Sequence, residues 1–479
     1  LFFTLPEQRV GKPVLYWATH GDQVKQETIR RFYQWREENG LPPVEVRIDV
    51  ANSTQTKKLI QGVSGVAADL IDLYDSQVYV MQNTGMLLDV SEYAETYGFT
   101  PDKTYNSVNP YFVFEGKQYG FPRNLGSTLI WFNRETFRKY GFEDPPDTWT
   151  FQEFEAFGIR FVEEANKNTS ERDRKFFVDR IQPEPMRRSL GLSNYNETMT
   201  ASTLDDPRNV KVLSLMQRWV RELRLAPTRQ EEAAFASDVS GAGARFSFFD
   251  EGRYAMLTVP RWALIMLRPR IEERGRPFDL GVIHPPHGGF PNVQVGIAVI
   301  GVYKKTDHIK ETIEFLDFLT SETFNLLVAE SGDSLPPVPE FAQNPAFSQP
   351  AEFPEEWGLH EKFARAAQEV AIPTSISPYV LDSTIRRIQQ NAMDALYAGQ
   401  LTPEEAAQLT ADRVNSIIAL NISRDPLLAE RYDREVALQK KIETYREQGK
   451  PVPAAWIKNP FHRKYYRDMG WIAEESKDG

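Results

Sequence analysis

The chain has 479 residues, of which 41% are hydrophobic and 26% charged, so it has enough apolar sequence for the cores of two or more domains. Its net charge of −11 argues against a nucleic-acid partner, because phosphate binding needs a basic surface. The absence of cysteine from this sequence excludes disulfides, thiolate metal sites, a cysteine nucleophile and a lipid-anchored cysteine. No run approaches the roughly 18 to 20 apolar residues of a membrane span. Residues 1–6 could end a signal peptide or a removed anchor, or simply follow an arbitrary chain boundary.

The first 120 residues alternate between short apolar runs and segments with helical spacing. Strands are predicted where apolar residues run or alternate, and helices where they recur every three or four residues. The predicted strands are 14–19, 44–49 and 68–74, and the predicted helices are 24–39, 54–62 and 77–84. Asp75 or Ser76 is expected to cap the last helix. This order is typical of a parallel or mixed α/β sheet.

The pattern continues through the rest of the chain. Thr150 and Glu153 have the spacing of a helix capping box. The charged segment 171–184 contains prolines and is predicted to be a surface insertion. His284 and His287 flank two prolines, which favours a loop over a metal-binding helix. Further strands are predicted at 127–133, 253–259 and 293–302, and helices at 309–319, 321–329, 384–397 and 403–420.

The last 59 residues carry their own pattern. Leu428, Tyr432, Val436 and Ile442 lie roughly on one helical face. The aromatic residues that follow argue against a disordered tail. We predict an additional helix packed on a neighbouring domain, with a partner-binding segment as the alternative.

Four regions of the sequence, in this order, resemble extracellular solute-binding proteins of the maltose-binding, carbohydrate-uptake type. They are 116–122 (GKQYGFP) with 131–137 (WFNRETF) and 145–149 (PPDTW); 249–256 (FDEGRYAM) with 260–262 (PRW); 313–322 (IEFLDFLTSE); and 396–406 (LYAGQLTPEEA). The resemblance implies an α/β fold of two discontinuous lobes joined by crossing strands. The implied boundaries are 1–122 and 295–333 for the first lobe, 123–294 and 334–420 for the second, and 421–479 for an extension.

The resemblance also implies a function. It predicts the substrate-binding component of a bacterial ABC importer, a periplasmic or extracellular monomer that closes on a sugar or oligosaccharide between its lobes and delivers it to permease subunits. No cofactor, metal or catalytic residue is predicted. Three alternatives stay open: another ligand, such as a glycerophosphodiester, a polyamine or ferric ion; a glycan-acting enzyme with two carboxylates; and a partner-binding role of the aromatic C-terminus.

Sugar sites combine aromatic faces with polar groups, and in open α/β sheets they lie beyond the carboxyl ends of the strands. Trp262 and Tyr379 match family positions for stacking aromatics, with burial in the second lobe as the alternative. Arg123 could pair with the carboxylate of an acidic sugar or with an internal aspartate. Trp17 could equally be a core residue. The complete set of predicted ligand-binding residues is Trp17, Thr19, His20, Asp22, Tyr74, Asp75, Ser76, Arg123, Asn124, Trp262 and Tyr379.

Overall fold

A computed structural model describes residues 12–235 and 243–473, so segment 1–6 lies outside the described residues. Within the two described ranges, no helix has both the length and the apolar character needed to cross a membrane. Each of the six elements predicted in the first 120 residues is observed, with ends displaced by at most two residues.

The strands, numbered in chain order, include several short pairs as well as the two main sheets. They are β1 Val14–Ala18, β2 Glu45–Ile48, β3 Leu70–Tyr74, β4 Val113–Phe114, β5 Lys117–Gln118, β6 Phe121–Ser127, β7 Leu129–Asn133, β8 Phe176–Val178, β9 Tyr254–Val259, β10 Leu280–Ile283, β11 Val293–Val302, β12 Ala371–Pro373, β13 Val452–Pro453 and β14 Ile472–Ala473.

The α-helices are numbered in the same way. They are α1 Gln23–Glu38, α2 Gln55–Val63, α3 Gln77–Asn83, α4 Ser91–Tyr97, α5 Arg134–Lys139, α6 Phe151–Ala165, α7 Pro183–Ser189, α8 Pro207–Gln217, α9 Arg229–Phe235, α10 Gly243–Asp250, α11 Ala263–Leu267, α12 Pro269–Arg274, α13 Ile309–Phe318, α14 Glu322–Glu330, α15 Pro345–Ser348, α16 His360–Glu369, α17 Asp382–Tyr397, α18 Pro403–Arg424, α19 Pro426–Glu447 and α20 Pro460–Asp468. The Thr150–Glu153 capping box at the start of α6 is confirmed.

The chain divides into two compact units, each discontinuous in sequence. Unit 1 comprises the described residues up to 125 together with 297–331 and 335–347. Unit 2 comprises 126–296, 332–334 and the described residues from 348 onward. The chain therefore passes between units at 125/126 and 296/297, against predicted positions of 122/123 and 294/295. It passes again at 331/332, 334/335 and 347/348, where a single passage at 333/334 was predicted. Residues 335–347, assigned to the second lobe from the sequence, belong to unit 1.

The core of unit 1 lies around a sheet in which β1 pairs in parallel with both β2 and β3. β11 is antiparallel to β3, with Ala298 opposite Tyr74 and Val302 opposite Leu70. The apolar faces of α1, α13 and α14 cover the sheet, and aromatic rings such as Phe32 and Phe315 fill the space between. Burial of these large side chains is the main stabilising contribution to the unit.

The core of unit 2 lies around a four-stranded sheet in the order β10-β7-β9-β8. β7 is antiparallel to β9 and to β10, whereas β8 and β9 are parallel. The prediction of a surface insertion at 171–184 is wrong, because this segment contains β8, whose three residues are all buried. Its charged ends and prolines obscured an apolar core of only three residues, Phe176, Phe177 and Val178.

The C-terminal extension, residues 421–473 of the described chain, packs against the rest of unit 2. The predicted helical face is divided in the structure: Leu428 and Tyr432 of α19 pack against the apolar cluster of α17 and α18, whereas Ile442 belongs to a different cluster. A second cluster around Ile442, Ile457 and Tyr466 joins α19 to α20. The extension thus has an apolar cluster of its own around Ile442, and it also contributes Leu428 and Tyr432 to a cluster shared with α17 and α18.

Candidate functional site

The carboxyl ends of β1 and β3 lie side by side in unit 1 and surround a buried carboxylate. Asp72 on β3 is 0% exposed. It accepts hydrogen bonds from Thr19 Oγ1 at 2.7 Å, from Arg123 Nε at 2.9 Å and from the Tyr74 hydroxyl at 3.1 Å. We call these four residues the Asp72 cluster. It brings together three of the predicted site residues around one that was not predicted.

The Asp72 cluster is held together by charge. Burial alone raises the pKa of Asp72, but the nearby Arg123 and Lys25 cations and the Thr19 hydrogen bond outweigh it, so the pKa lies below its usual value. Lys58 is also buried, and its Nζ donates to the backbone carbonyl of Asp72. That burial lowers the pKa of Lys58 despite the attraction of Asp72. An ionised Asp72 with several donors fixes the geometry of this edge.

Of the two partners that the sequence left open for Arg123, an acidic sugar or an internal aspartate, the structure has the aspartate. Its Nε donates to Asp72, its Nη2 lies 3.3 Å from the Tyr74 hydroxyl, and its guanidinium lies 5.9 Å from the centroid of the Tyr74 ring. The internal aspartate therefore occupies the donor that a ligand carboxylate would need for bidentate pairing through Nε. Arg123 orients the half-buried Tyr74 ring at the end of β3.

The remaining predicted residues near β1 have different environments. Trp17 is a core residue, with its ring 5.4 Å from that of Phe315. His20 is exposed, and its ring centroid lies 6.3 Å from that of Tyr74. Asp22 is the N-cap of α1 and accepts from the backbone N–H of Lys25 at 2.9 Å. Only His20 therefore extends the exposed part of the edge beside Tyr74.

The turn after β3 has a structural role of its own. Asp75 has φ +46°, and its Oδ1 accepts from the backbone N–H of Ile297 at 2.9 Å. This bond ties the turn to β11. Ser76 occupies the N-cap position of α3, but its side chain makes no capping hydrogen bond, so the predicted cap is correct in position only. Asn124, next to Arg123 on β6, is buried.

Unit 2 has a second buried carboxylate at the corresponding edge of its own sheet. Asp179 follows β8 directly and is buried. It accepts from Arg245 Nε at 2.9 Å, from the backbone N–H of Thr258 at 2.8 Å and from Arg180 Nε at 3.2 Å. These four residues form the Asp179 cluster. Glu232 lies close enough to interact electrostatically with it, and burial raises the pKa of Glu232.

Trp262 lies at this same edge, three residues after the end of β9. Its side chain is half-buried, and its ring packs edge-on against Phe246 at 5.9 Å. The preceding residue, Arg261, is fully buried and donates to His360 Nδ1 at 3.0 Å and to the backbone carbonyl of Ser334 at 3.1 Å. Arg261 therefore anchors the backbone that carries Trp262.

Tyr379 does not offer an open face. It is 1% exposed, its hydroxyl donates to Glu435 at 2.7 Å, and its ring packs at a right angle on Tyr432 at 5.2 Å. Both partners belong to α19 of the extension. Tyr379 is therefore buried, as the alternative interpretation predicted. We leave it out of the candidate site.

Sequence reasoning missed Asp72, Asp179, Arg180 and Arg245. Asp72 and Asp179 look like ordinary charged residues in the printed sequence, and only the register of the sheets brings cations to them. One signal was available for Asp72, which stands inside the apolar run 70–74 (LIDLY). A charged residue in a buried strand needs partners, and this marks it as a site candidate.

Comparisons with known proteins are consistent with two-lobed binding proteins. The family model described as bacterial extracellular solute-binding protein matches residues 33–355, more than half of the chain. The chain therefore belongs to this family, as the resemblance predicted. An arabinooligosaccharide-binding protein of Halalkalibacterium halodurans is 23% identical over 367 residues, which cover 74% of this chain and 78% of the relative.

Solved structures share the fold. An ABC substrate-binding protein from Listeria monocytogenes, in complex with cycloalternan, has a TM-score of 0.70 at 20% identity and covers 85% of this chain and 100% of its own. The GacH receptor of Streptomyces glaucescens has a TM-score of 0.67 at 18% identity, with 85% and 99% covered. The fold is thus the predicted α/β fold of two-lobed binding proteins. Because these neighbours are almost fully covered, the uncovered part of this chain is additional to them.

Proposed function

We propose that this chain is the extracytoplasmic substrate-binding component of a bacterial ABC importer, and that its ligand is a sugar or oligosaccharide. The family consists of binding proteins, and the relatives and neighbours named above are binding proteins for saccharides or their analogues. The ligand is released to permease subunits without covalent change. We also propose that the protein docks on those permease subunits and that it is located outside the cytoplasm.

One observation carries the choice of a sugar. At the carboxyl edge of its sheet, each unit has a half-buried aromatic ring and a buried aspartate paired with arginine. Tyr74 has this position in unit 1 and Trp262 in unit 2. A pyranose presents an apolar face and a ring of hydroxyls, so it needs an aromatic surface together with fixed donors and acceptors.

A thermal-shift screen with the full chain tests the proposal. The panel contains monosaccharides, oligosaccharides and uronic acids, together with glycerophosphodiesters, spermidine and ferric citrate as competing ligand classes. A saccharide at about 100 times its Kd should stabilise the protein by about 2.7 kcal/mol and raise the melting temperature. A response confined to a competing class would contradict the proposed ligand while leaving the family intact.

Two alternatives from the sequence, binding of ferric ion and a glycan-acting enzyme, are distinguished by other observations. Within the described residues, no group of three or more His, Cys, Asp or Glu side chains could hold a metal ion. Release of reducing ends from the bound saccharide would instead indicate a glycan-acting enzyme, with two carboxylates as acid and base. We expect the saccharide to be recovered unchanged after incubation, as chromatography of the mixture would demonstrate.

A further inference from the structure

A recess opens beside the Asp179 cluster, entirely within unit 2. Its cavity volume is about 30 Å³, which is enough for one small group such as a methyl. It lies where β8, β9 and β10 end and where the antiparallel β7 begins, so all four strands of the sheet contribute to one edge. Ligands of open α/β sheets bind outside this kind of edge. The recess is therefore placed to take part of a ligand.

The floor of the recess is apolar and the mouth is polar. Ile130, Met186, Phe154 and Trp219 line the floor, and Arg180 and Gln182 stand at the mouth. The rings of Phe154 and Trp219 pack at 4.9 Å. The polar atom of the Trp219 ring is already used, because Nε1 donates to Glu155 at 2.7 Å. These floor side chains thus have no hydrogen-bonding group left for a ligand.

The polar atoms near the mouth are fixed by one another. Thr258 Oγ1 donates to the carbonyl of Arg180 at 3.3 Å, and the Thr258 N–H donates to Asp179. Arg180 uses Nε for Asp179, while its side chain remains 43% exposed. A ligand can therefore find hydrogen bonds from Arg180 and Gln182 at the mouth. Deeper in, the lining is apolar except for the buried Thr258, whose hydroxyl already donates to Arg180.

From this division we propose that the recess binds the methyl group of a 6-deoxyhexose, whose ring hydroxyls are held at the mouth. The inference rests on the proposed function and specifies its substrate class. A methyl group gains from transfer to an apolar floor. The hydroxymethyl group of an ordinary hexose would bury a hydroxyl beside Thr258 and Trp219 donors that are already used, and this is unfavourable. The two kinds of sugar should differ in Kd by about tenfold or more.

Calorimetric titration of the full chain with matched pairs tests the proposal, since the members of each pair differ only at carbon 6. The pairs are L-rhamnose with L-mannose, L-fucose with L-galactose, and 6-deoxyglucose with glucose. We expect the deoxy member of at least one pair to bind about tenfold tighter or better. Equal affinities within every pair that binds would contradict the assignment of the methyl group to the recess, but not the proposed function. If no saccharide binds, both ideas fall together.

Two variants distinguish an effect on the sugar preference of the recess from a general effect on the stability of the core. Met186→Gln places an amide on the floor, so the preference for the deoxy sugar should shrink severalfold as the hydroxymethyl sugar gains a partner. Met216→Gln buries the same group elsewhere in the core of unit 2, away from the lining, and should leave the ratio of affinities unchanged. Melting temperatures of both variants report folding. If Met186→Gln is folded and keeps the full wild-type ratio, the assignment of the methyl group to this recess is wrong.

Discussion

Arg446 Nη1 donates a 2.7 Å hydrogen bond to Glu197 Oε1, although 249 residues separate the two along the chain. Glu197 is 3% exposed and also accepts from Gln439 Nε2 at 2.8 Å and from the hydroxyl of Tyr466. All three donors belong to the C-terminal extension. One buried carboxylate therefore ties the extension to the segment that follows α7, and the extension is an integral part of unit 2.

Glu197→Ala should destabilise the protein markedly. The change leaves the buried Tyr466 hydroxyl without its acceptor and Gln439 Nε2 with only the 3.2 Å bond to Glu443, which costs about 2–4 kcal/mol. Urea unfolding monitored by tryptophan fluorescence measures the loss. Glu447→Ala is the matched control, because Glu447 is an exposed glutamate of α19, and we expect a change within about 0.5 kcal/mol. Equal stability of the two variants would show that the extension is attached by other contacts.

The contribution of Glu197 should depend on pH. Burial raises the pKa of Glu197, but His462, the hydrogen bonds from Tyr466 and Gln439, and Arg446 together lower it to about 2 from a usual 4.5. A lowered pKa in the folded state means that the stabilisation is complete above about pH 4.5 and is lost as the pH falls toward 2. It amounts to about 3 kcal/mol at most.

We therefore expect the difference in unfolding free energy between wild type and Glu197→Gln to be large at pH 6 and smaller at pH 3. Glu447→Gln corrects for the general effect of removing a carboxylate. A difference that stays constant from pH 6 to pH 3 would contradict an ionised, hydrogen-bonded Glu197.

The sequence predicted the elements of unit 1 well, for a physical reason. α1 repeats its apolar residues at helical spacing over 16 residues, whereas β3 is a mostly apolar run of 5 residues, so period and length together distinguish helix from strand. β8 was not predicted as a strand, because three buried residues between charged flanks are too few to show a period. Tyr379 differs from its prediction for another reason: its family position suggested a ligand-facing ring, but α19 covers the ring with Glu435 and Tyr432.

Prediction of the candidate site was limited by pairing across the sheet. Thr19, Tyr74 and Arg123 were found from the ends of strands and from the resemblance, whereas Asp72, the acceptor that joins them, was marked only by its place inside an apolar run. The same holds for Asp179 and Arg245, which are 66 residues apart. Such pairs depend on tertiary register, which single-sequence periodicity does not contain.

Trp262→Ala should weaken saccharide binding about tenfold or more, because a ring at a ligand edge contributes through stacking and desolvation. The fold should persist, since Arg261 supplies the buried anchor of this segment. Calorimetry measures the affinity. Trp357→Ala removes another tryptophan of unit 2, one that is half exposed, and serves as the control. Unchanged affinity in Trp262→Ala would remove Trp262 from the site.

Tyr379→Phe should affect stability and leave binding unchanged. Loss of the hydroxyl leaves Glu435 with Arg431, whose Nε lies 3.2 Å away, and costs about 1–2 kcal/mol. Saccharide affinity should match that of the wild type, because the ring is enclosed by α19. A drop in affinity without a drop in melting temperature would return Tyr379 to the ligand-binding residues.

Arg123→Met should be among the most damaging changes in unit 1. It leaves the Asp72 carboxylate buried without its strongest partner, and breaking a buried ion pair from one side costs about 3–5 kcal/mol. The double variant with Asp72→Asn should recover part of this loss, because the uncompensated charge is gone. Arg47→Met is the control, since Arg47 belongs to an exposed pair with Glu45 and is expected to cost less than about 1 kcal/mol. Urea unfolding of wild type, Arg123→Met, Asp72→Asn and the double variant gives the coupling energy between Arg123 and Asp72. Additive losses in that cycle would mean that Arg123 has no special partnership with Asp72, and its guanidinium would again be a candidate for pairing with an acidic sugar.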